Sequence, residues 1–292
     1  MKLSDYITKY QQMIDQSIKR KIDHLSVPSR LKDAMQYSFK AGGKRLRPIL
    51  LIASYEAYGN DISKVMSTAI ALEMIHTYSL IHDDLPAMDD DDLRRGQPTN
   101  HKVFDEATAI LAGDALLTYS FECIAEDSIL TNEEKVKLMK WLSRASGPKG
   151  MVAGQILDLQ AENKAVTIKE LEKIHTLKTG ELIQFAVIAG AYLGQATEEQ
   201  LEHLKRFSHY LGLIFQIQDD ILDVTGDQYK IGKPIGSDEL NEKSTYPRIL
   251  GLEGAINQKN AYVTKAKEAL AKAEVRESRL LSLTEYLTQR DY

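Results

Sequence analysis

Apolar residues recur at three- and four-residue intervals through Lys64 to His82, Thr108 to Ile124, Glu133 to Trp141 and Glu199 to Leu222. That spacing turns one face of each segment towards a core and predicts long amphipathic or buried helices. Alternating, strand-like runs are scarce. The strong breakers fall between these segments: Gly42-Gly43, Pro48, Gly59-Asn60, Pro86, Gly96 to Pro98, Gly147-Pro148, Gly226 and Gly232 to Gly236. The pattern therefore predicts an all-α bundle. Gly180 to Gly194 and Tyr210 to Leu222 carry few charges and are expected at its centre, with any chemistry at one end of that core.

At 292 residues the chain is long for one domain, but no Pro/Gly/Ser-rich linker, low-complexity tract or internal repeat divides it, so a single domain over 1–292 is the simpler expectation. Apolar residues make up 43% and are spread throughout, enough for a substantial core. The longest nearly uncharged stretch, Ile183 to Gly194, is shorter than the ~18 residues of a membrane span, and the first ten residues lack a signal-like apolar run. A cytoplasmic protein without membrane insertion is expected. The one cysteine, Cys123, sits among apolar neighbours and reads as buried filler. Net charge is −5, which disfavours nucleic-acid binding.

Charge is more informative locally. Acidic clusters at Asp83 to Asp92 and Asp219 to Asp223 are set against basic groups at Lys44 to Arg47, Arg94-Arg95 and Lys230 to Lys233. Asp219, Asp220 and Asp223 fall at i, i+1 and i+4, on one face of a helix that turns about 100° per residue. Three carboxylates at the end of an apolar helix repel one another, so a compensating cation is expected. Magnesium suits them, because it takes hard oxygen ligands and completes its shell with water and substrate phosphate. In the first cluster, Pro86 argues against an unbroken helix. A regular helix would align Asp83 with Asp90, whereas a break brings Asp89 round, and spacing alone does not choose between them. Either run alone reads equally well as a solvated face. Two such runs, each following an apolar helix and each with arginines or lysines nearby, are harder to explain that way.

The ordered set of motifs resembles the trans-prenyl diphosphate synthases, most closely the bacterial type of farnesyl diphosphate synthase, over nearly the whole chain. It comprises Asp83-Asp84 through Asp89 followed by Arg94-Arg95-Gly96, and Asp219-Asp220 through Asp223 preceded by Phe215-Gln216. With these go Gly42-Gly43-Lys44-Arg45-Leu46-Arg47-Pro48, His76, Gly154-Gln155 with Asp158, Lys178-Thr179-Gly180 and Gly232-Lys233-Pro234. The resemblance implies one bundle of long helices around a deep central cavity, the isoprenoid synthase fold, in a homodimer. It implies that Asp83, Asp84 and Asp89, and Asp219 supported by Asp220 and Asp223, bind magnesium, three ions with substrate present, with manganese as a possible substitute. Arg94, Lys178, Thr179, Gln216 and Lys233 are implied at the allylic diphosphate, and Lys44, Arg47, His76 and Arg95 at isopentenyl diphosphate. Arginine suits phosphate as a planar charged fork, lysine as a mobile point charge and histidine as a directed donor.

The implied reaction joins isopentenyl diphosphate to dimethylallyl or geranyl diphosphate by ionisation, condensation and elimination, giving farnesyl diphosphate. Lys178, Thr179 and Gln216 are its expected catalytic side chains. Tyr78 lies five residues before Asp83, about 7.5 Å lower along a straight helix, and is the expected floor that limits product length. A geranyl or geranylgeranyl product is the alternative. A class I terpene cyclase would carry a different second metal motif. A helical phosphohydrolase built on His82-Asp83 leaves the second cluster unexplained. An acidic metal-binding protein lacks a calcium loop, and an inactive scaffold subunit is expected to have lost one of the clusters.

Overall fold

The computed structural model describes residues 1–162, 164–226, 244–275 and 277–289. Lys233, and with it the lysine-rich stretch from Lys230 to Lys243, lies outside the described residues. The described chain is almost entirely helical, and it forms two compact units, Met1–Ile49 with Asp61–Met139 and Leu50–Asn60 with Lys140–Tyr292.

In the first unit, α1 (Leu3–Asp23) buries Tyr6, Tyr10, Ile14, Ile18 and Ile22, a four-residue stripe running its whole length. It is followed by α2 (Ser29–Lys40) and the start of α3 (Leu46–Glu56), where Pro48 sits in the first turn and its missing N–H has no helical partner to lose. Helix α4 (Met66–Asp83) is buried on nearly every side, as its low-charge sequence requires. A two-stranded hairpin, β1 (Leu93–Arg94) and β2 (Gln97–Pro98), follows the first acidic cluster. Its turn residues Arg95 and Gly96 have φ of 55° and 74°, the paired positive values of a type I′ turn.

After the short α5 (Asn100–Val103), α6 (Glu106–Ala125) packs along α4. Gly113 allows this approach, because a Cβ there would run into the His82 ring. Helix α6 is also long and apolar enough by length and composition to cross a membrane, although 39% of that stretch is buried. This differs from the expectation that no segment reaches spanning length, because α6 keeps a high average hydropathy across isolated charges such as Asp114. Cys123 on this helix is buried, as expected, and burial pushes its thiol up to about 11. Helix α7 (Asn132–Ser146) runs from the first unit into the second.

The second unit contains α8 (Met151–Ala161), α9 (Ile168–His175), α10 (Glu181–Leu193), α11 (Glu198–Thr225), α12 (Tyr246–Lys272) and α13 (Arg279–Gln289). Helix α10 and the C-terminal half of α11 are the buried pair that the sparse charges predict. Helix α10 lies close on α3, since a Cβ on Gly190 would overlap the Leu51 carbonyl. Capping boxes at Thr167/Glu170 and Thr197/Gln200 fix the starts of α9 and α11 by satisfying their first free N–H groups. Between α9 and α10 the helix widens into a π turn, Thr176–Gly180. Gly251 (φ 72°), a breaker not singled out from sequence, kinks α12.

Candidate active site

In the first unit the basic loop after α2 is built around Arg45, which the sequence argument quoted within its motif without giving it a role. Gly42 and Gly43 have φ of 84° and 142°, values open to glycine, and let the loop double back. Arg45, 4% exposed, pairs with Asp15 at 2.7 Å and Glu73 at 3.0 Å, and donates to the Phe39 carbonyl at 2.9 Å. Burial pushes the Glu73 carboxyl up, opposed by Arg45. A buried pair whose remaining donors reach backbone carbonyls anchors the loop. Lys44 and Arg47 flank it, each partly buried. Arg47 Nη1 lies 3.0 Å from His76 Nε2, and the Arg95 guanidinium donates to the Gly42 carbonyl. Burial, then Arg47 and Arg95, hold the His76 pKa well below its ordinary value. His76 is therefore neutral and its Nε2 accepts from Arg47, which fixes the tautomer with hydrogen on Nδ1. Four residues assigned to isopentenyl diphosphate, Lys44, Arg47, His76 and Arg95, thus meet around one glycine-rich loop.

The first acidic cluster begins where α4 ends. Asp83 closes the helix, Asp84 is its C-cap, and the chain turns so that Asp89 N–H donates to the Asp83 carbonyl at 2.9 Å. Asp90 takes φ of 51° and donates to Leu85. The break at Pro86 thus brings residue 89 back to the end of the helix. Asp84 is buried and takes both Nε and Nη2 of Arg94, at 2.6 and 2.5 Å, while Arg94 also reaches Asp91 at 3.2 Å. Burial raises the Asp84 pKa against the pull of Arg94; burial likewise opposes the Arg94 charge, but Asp84 and Asp91 more than offset it. Arg94, expected at the allylic diphosphate, here braces the cluster from the hairpin. Tyr78 is buried lower on α4, edge-on to His82, and burial followed by the Asp83 charge pushes its phenol up to about 12. His82 itself turns to α6, with Nε2 3.1 Å from the Ile110 carbonyl, which weakens any joint His82-Asp83 chemistry.

In the second unit a cavity of about 210 Å³ brings together Lys178, Gln216, Asp219 and Asp220 with Asp158 and His175. Its wall depends on the π turn, whose extra residue per turn re-aims Lys178 and Thr179. Gly154 of α8 fits against that turn, because a Cβ there would overlap the Lys178 backbone; Gly212 of α11 meets Gly180 from another side. The turn is held by small residues. Lys178 Nζ pairs with Asp158 at 2.6 Å and Thr179 is buried. On α11, Gln216 and Asp219 are partly open towards the cavity, whereas Asp220 and Asp223 are buried. Asp220 Oδ2 accepts the Tyr246 N–H at 2.9 Å, so it also secures the start of α12. His175, missed from sequence because a histidine on an apolar helix face gives no distinct signal, lies 3.4 Å from Gln216 Nε2 through Nδ1. Burial brings its pKa down to about 4, with Asp158 opposing and Lys178 reinforcing the shift.

The donor set fits magnesium held with a substrate. Among the described residues no group of three or more side chains is gathered tightly enough to hold a metal alone. Asp83 and Asp89 in the first unit and Asp219 in the second are hard oxygen donors of the kind magnesium takes one or two at a time, leaving positions for water and phosphate. With basic groups for phosphate beside them, these constellations define an all-α enzyme of the isoprenoid synthase type. The polyprenyl synthetase profile matches residues 28–286, and the chain belongs to that family. It is 48% identical to the farnesyl diphosphate synthase of Geobacillus stearothermophilus over 294 aligned residues, covering 100% of this chain and 99% of the relative. A putative farnesyl-diphosphate synthase from Marinomonas sp. MED121 superposes with a TM-score of 0.85 at 40% identity, covering 99% of this chain and 100% of that one. The geranylgeranyl pyrophosphate synthetase of Pyrococcus horikoshii Ot3 gives 0.88 at 31% identity, covering 99% and 98%.

Proposed function

We propose that the protein is a trans-prenyltransferase that condenses isopentenyl diphosphate head to tail with dimethylallyl or geranyl diphosphate, ending at farnesyl diphosphate. The observation that carries this reading is the cavity in which Lys178, Gln216 and Asp219 meet, a cation for diphosphate, an amide for a carbocation and a carboxylate for a metal. Full-length identity to a farnesyl diphosphate synthase supports the fifteen-carbon product. Asp83, Asp89 and Asp219, with Asp84, Asp220 and Asp223 behind them, would hold magnesium, which would neutralise charge on the departing diphosphate. Manganese is expected to substitute.

The chain's own residues do the rest. Lys178 and Arg94 attract the allylic diphosphate, while Lys44, Arg47, Arg95 and His76 hold isopentenyl diphosphate through charge-assisted bonds. As the allylic carbon loses its leaving group it becomes cationic, and the Thr179 hydroxyl and Gln216 amide oxygen offer it lone pairs without bonding to it. Water would quench the cation, and Val166, Leu171 and Ile174 supply the apolar part of the cavity lining that works against its entry. The isopentenyl double bond attacks this carbon, and the proton then lost passes to the departed diphosphate. Lys233, which belongs to the same allylic set by resemblance, is part of the proposal although it lies outside the described residues. So are a homodimer, cytoplasmic residence without membrane insertion, and no dealings with nucleic acid; the net charge of −5 supports the last.

Substituting Asp83→Ala or Asp219→Ala should cut turnover by at least about a hundredfold with the fold intact, the order lost when transition-state charge stabilisation is removed. Either variant retaining near-full turnover would sink the assignment of that cluster.

A further inference from the structure

His175 lines the second unit's cavity and has no part in the reaction as drawn. Its surroundings are unusually constrained. The imidazole is nearly fully buried and stacks on Tyr246 with ring centroids 5.8 Å apart and planes 16° apart. Tyr246 in turn is pinned by the bond from its N–H to Asp220. Nδ1 is 3.4 Å from Gln216 Nε2, and Nε2, also buried, has no hydrogen-bond partner among the described residues. A ring held this way keeps one orientation, so its Nδ1 is a fixed point against which the Gln216 amide must choose a side.

The choice has a chemical consequence. The burial that depresses its pKa keeps the imidazole neutral at ordinary pH. A neutral ring with its hydrogen on Nε2 offers Nδ1 as an acceptor only, and the amide must then present NH2 to it. The amide oxygen, on the other arm of the planar group, is left for the cavity. The reverse pairing would spend that oxygen on Nδ1–H and present two N–H donors, each a partial positive charge, to a developing carbocation.

We propose that His175 is a positioning residue: by accepting from Gln216 Nε2 it turns the Gln216 amide oxygen towards the place where the allylic cation forms. This rests on the reading that Gln216 stabilises that cation. A set of isosteric variants tests it. Asn places an acceptor near the position of Nδ1, Gln places one near Nε2, and Phe keeps the ring that stacks on Tyr246 but offers none. His175→Asn should keep kcat with geranyl diphosphate within roughly threefold, while His175→Gln and His175→Phe should lose about tenfold or more, KM for both substrates staying within roughly twofold. In a Gln216→Ala background, His175→Phe should add less than about twofold, because the group it orients is gone. Equal losses for Asn and Gln, or independent losses in the double variant, would overturn the positioning role. Should His175→Phe fail to fold, the Asn and Gln pair still decides. If Gln216→Ala alone retains full kcat, the reading beneath the proposal fails, a result distinct from failure of the His175 role.

Discussion

At the scale of single residues, buried ionisable groups carry the sharpest consequences. His175 has its pKa lowered from 6.5 to about 4, so the folded state binds fewer protons than the unfolded state between those values. Its contribution to stability is complete above pH 6.5 and is lost as pH falls through that window. The full loss is about 3 kcal/mol. Urea unfolding of wild type and His175→Asn at pH 7 and pH 4 should show the variant losing less stability by about that amount; parallel curves would contradict it. Asp84 makes a second case. Removing Arg94 leaves this 4%-exposed carboxylate without its main counter-charge, so Arg94→Ala should cost about 2 kcal/mol, and Asp84→Asn in the same chain should recover part of it. If the double variant is no more stable than Arg94→Ala, the ion pair is not what holds the hairpin to α4. The sequence marked Asp84 and Arg94 as ligands for metal and phosphate, but only coordinates could show each partly spent on the other. Glu73 and His175 escaped notice, and Arg45 stood in its motif without a role, for a related reason, since a buried charged or polar residue is recognised by its partners and these lie distant in the chain.

At the scale of elements, two backbone devices shape the site. The π turn Thr176–Gly180 is seated by Gly154, and a methyl group there meets main-chain atoms that cannot swing aside. Gly154→Ala should therefore destabilise by about 2 kcal/mol and lower kcat by shifting Lys178, whereas an unaffected kcat would show that the turn tolerates displacement. In the hairpin, Gly96 holds a φ of 74° with open space around it, so Gly96→Ala should cost only about 1 kcal/mol of backbone strain, read as a small drop in Tm. The helices themselves were legible, because periodicity and low charge report burial directly: Lys64 to His82, Thr108 to Ile124 and Glu199 to Leu222 all lie within observed helices. What periodicity hides is departure from ideal repeat. Thr179-Gly180 signals a weak helix in sequence, but its resolution into a π turn depends on α8 and α11 pressing from either side. The Asp89 or Asp90 ambiguity has the same character, because Pro86 announces a break without saying how the chain returns.

For the whole molecule, end-to-end identity with a farnesyl diphosphate synthase and motif order agree on one activity, and the open variable is how long a chain it builds. Tyr78, buried below Asp83 on α4, is proposed as the barrier to adding a fourth five-carbon unit to the fifteen-carbon product, so Tyr78→Ala should shift product to twenty carbons or more while keeping turnover within roughly tenfold. An unchanged product would move the limit to other residues. The central claim is tested most directly by incubating the protein with magnesium, labelled isopentenyl diphosphate and geranyl diphosphate, and measuring the carbon number of the product. A fifteen-carbon allylic diphosphate, abolished by chelator, is the predicted result. Folded protein that condenses neither geranyl nor dimethylallyl diphosphate would contradict the account.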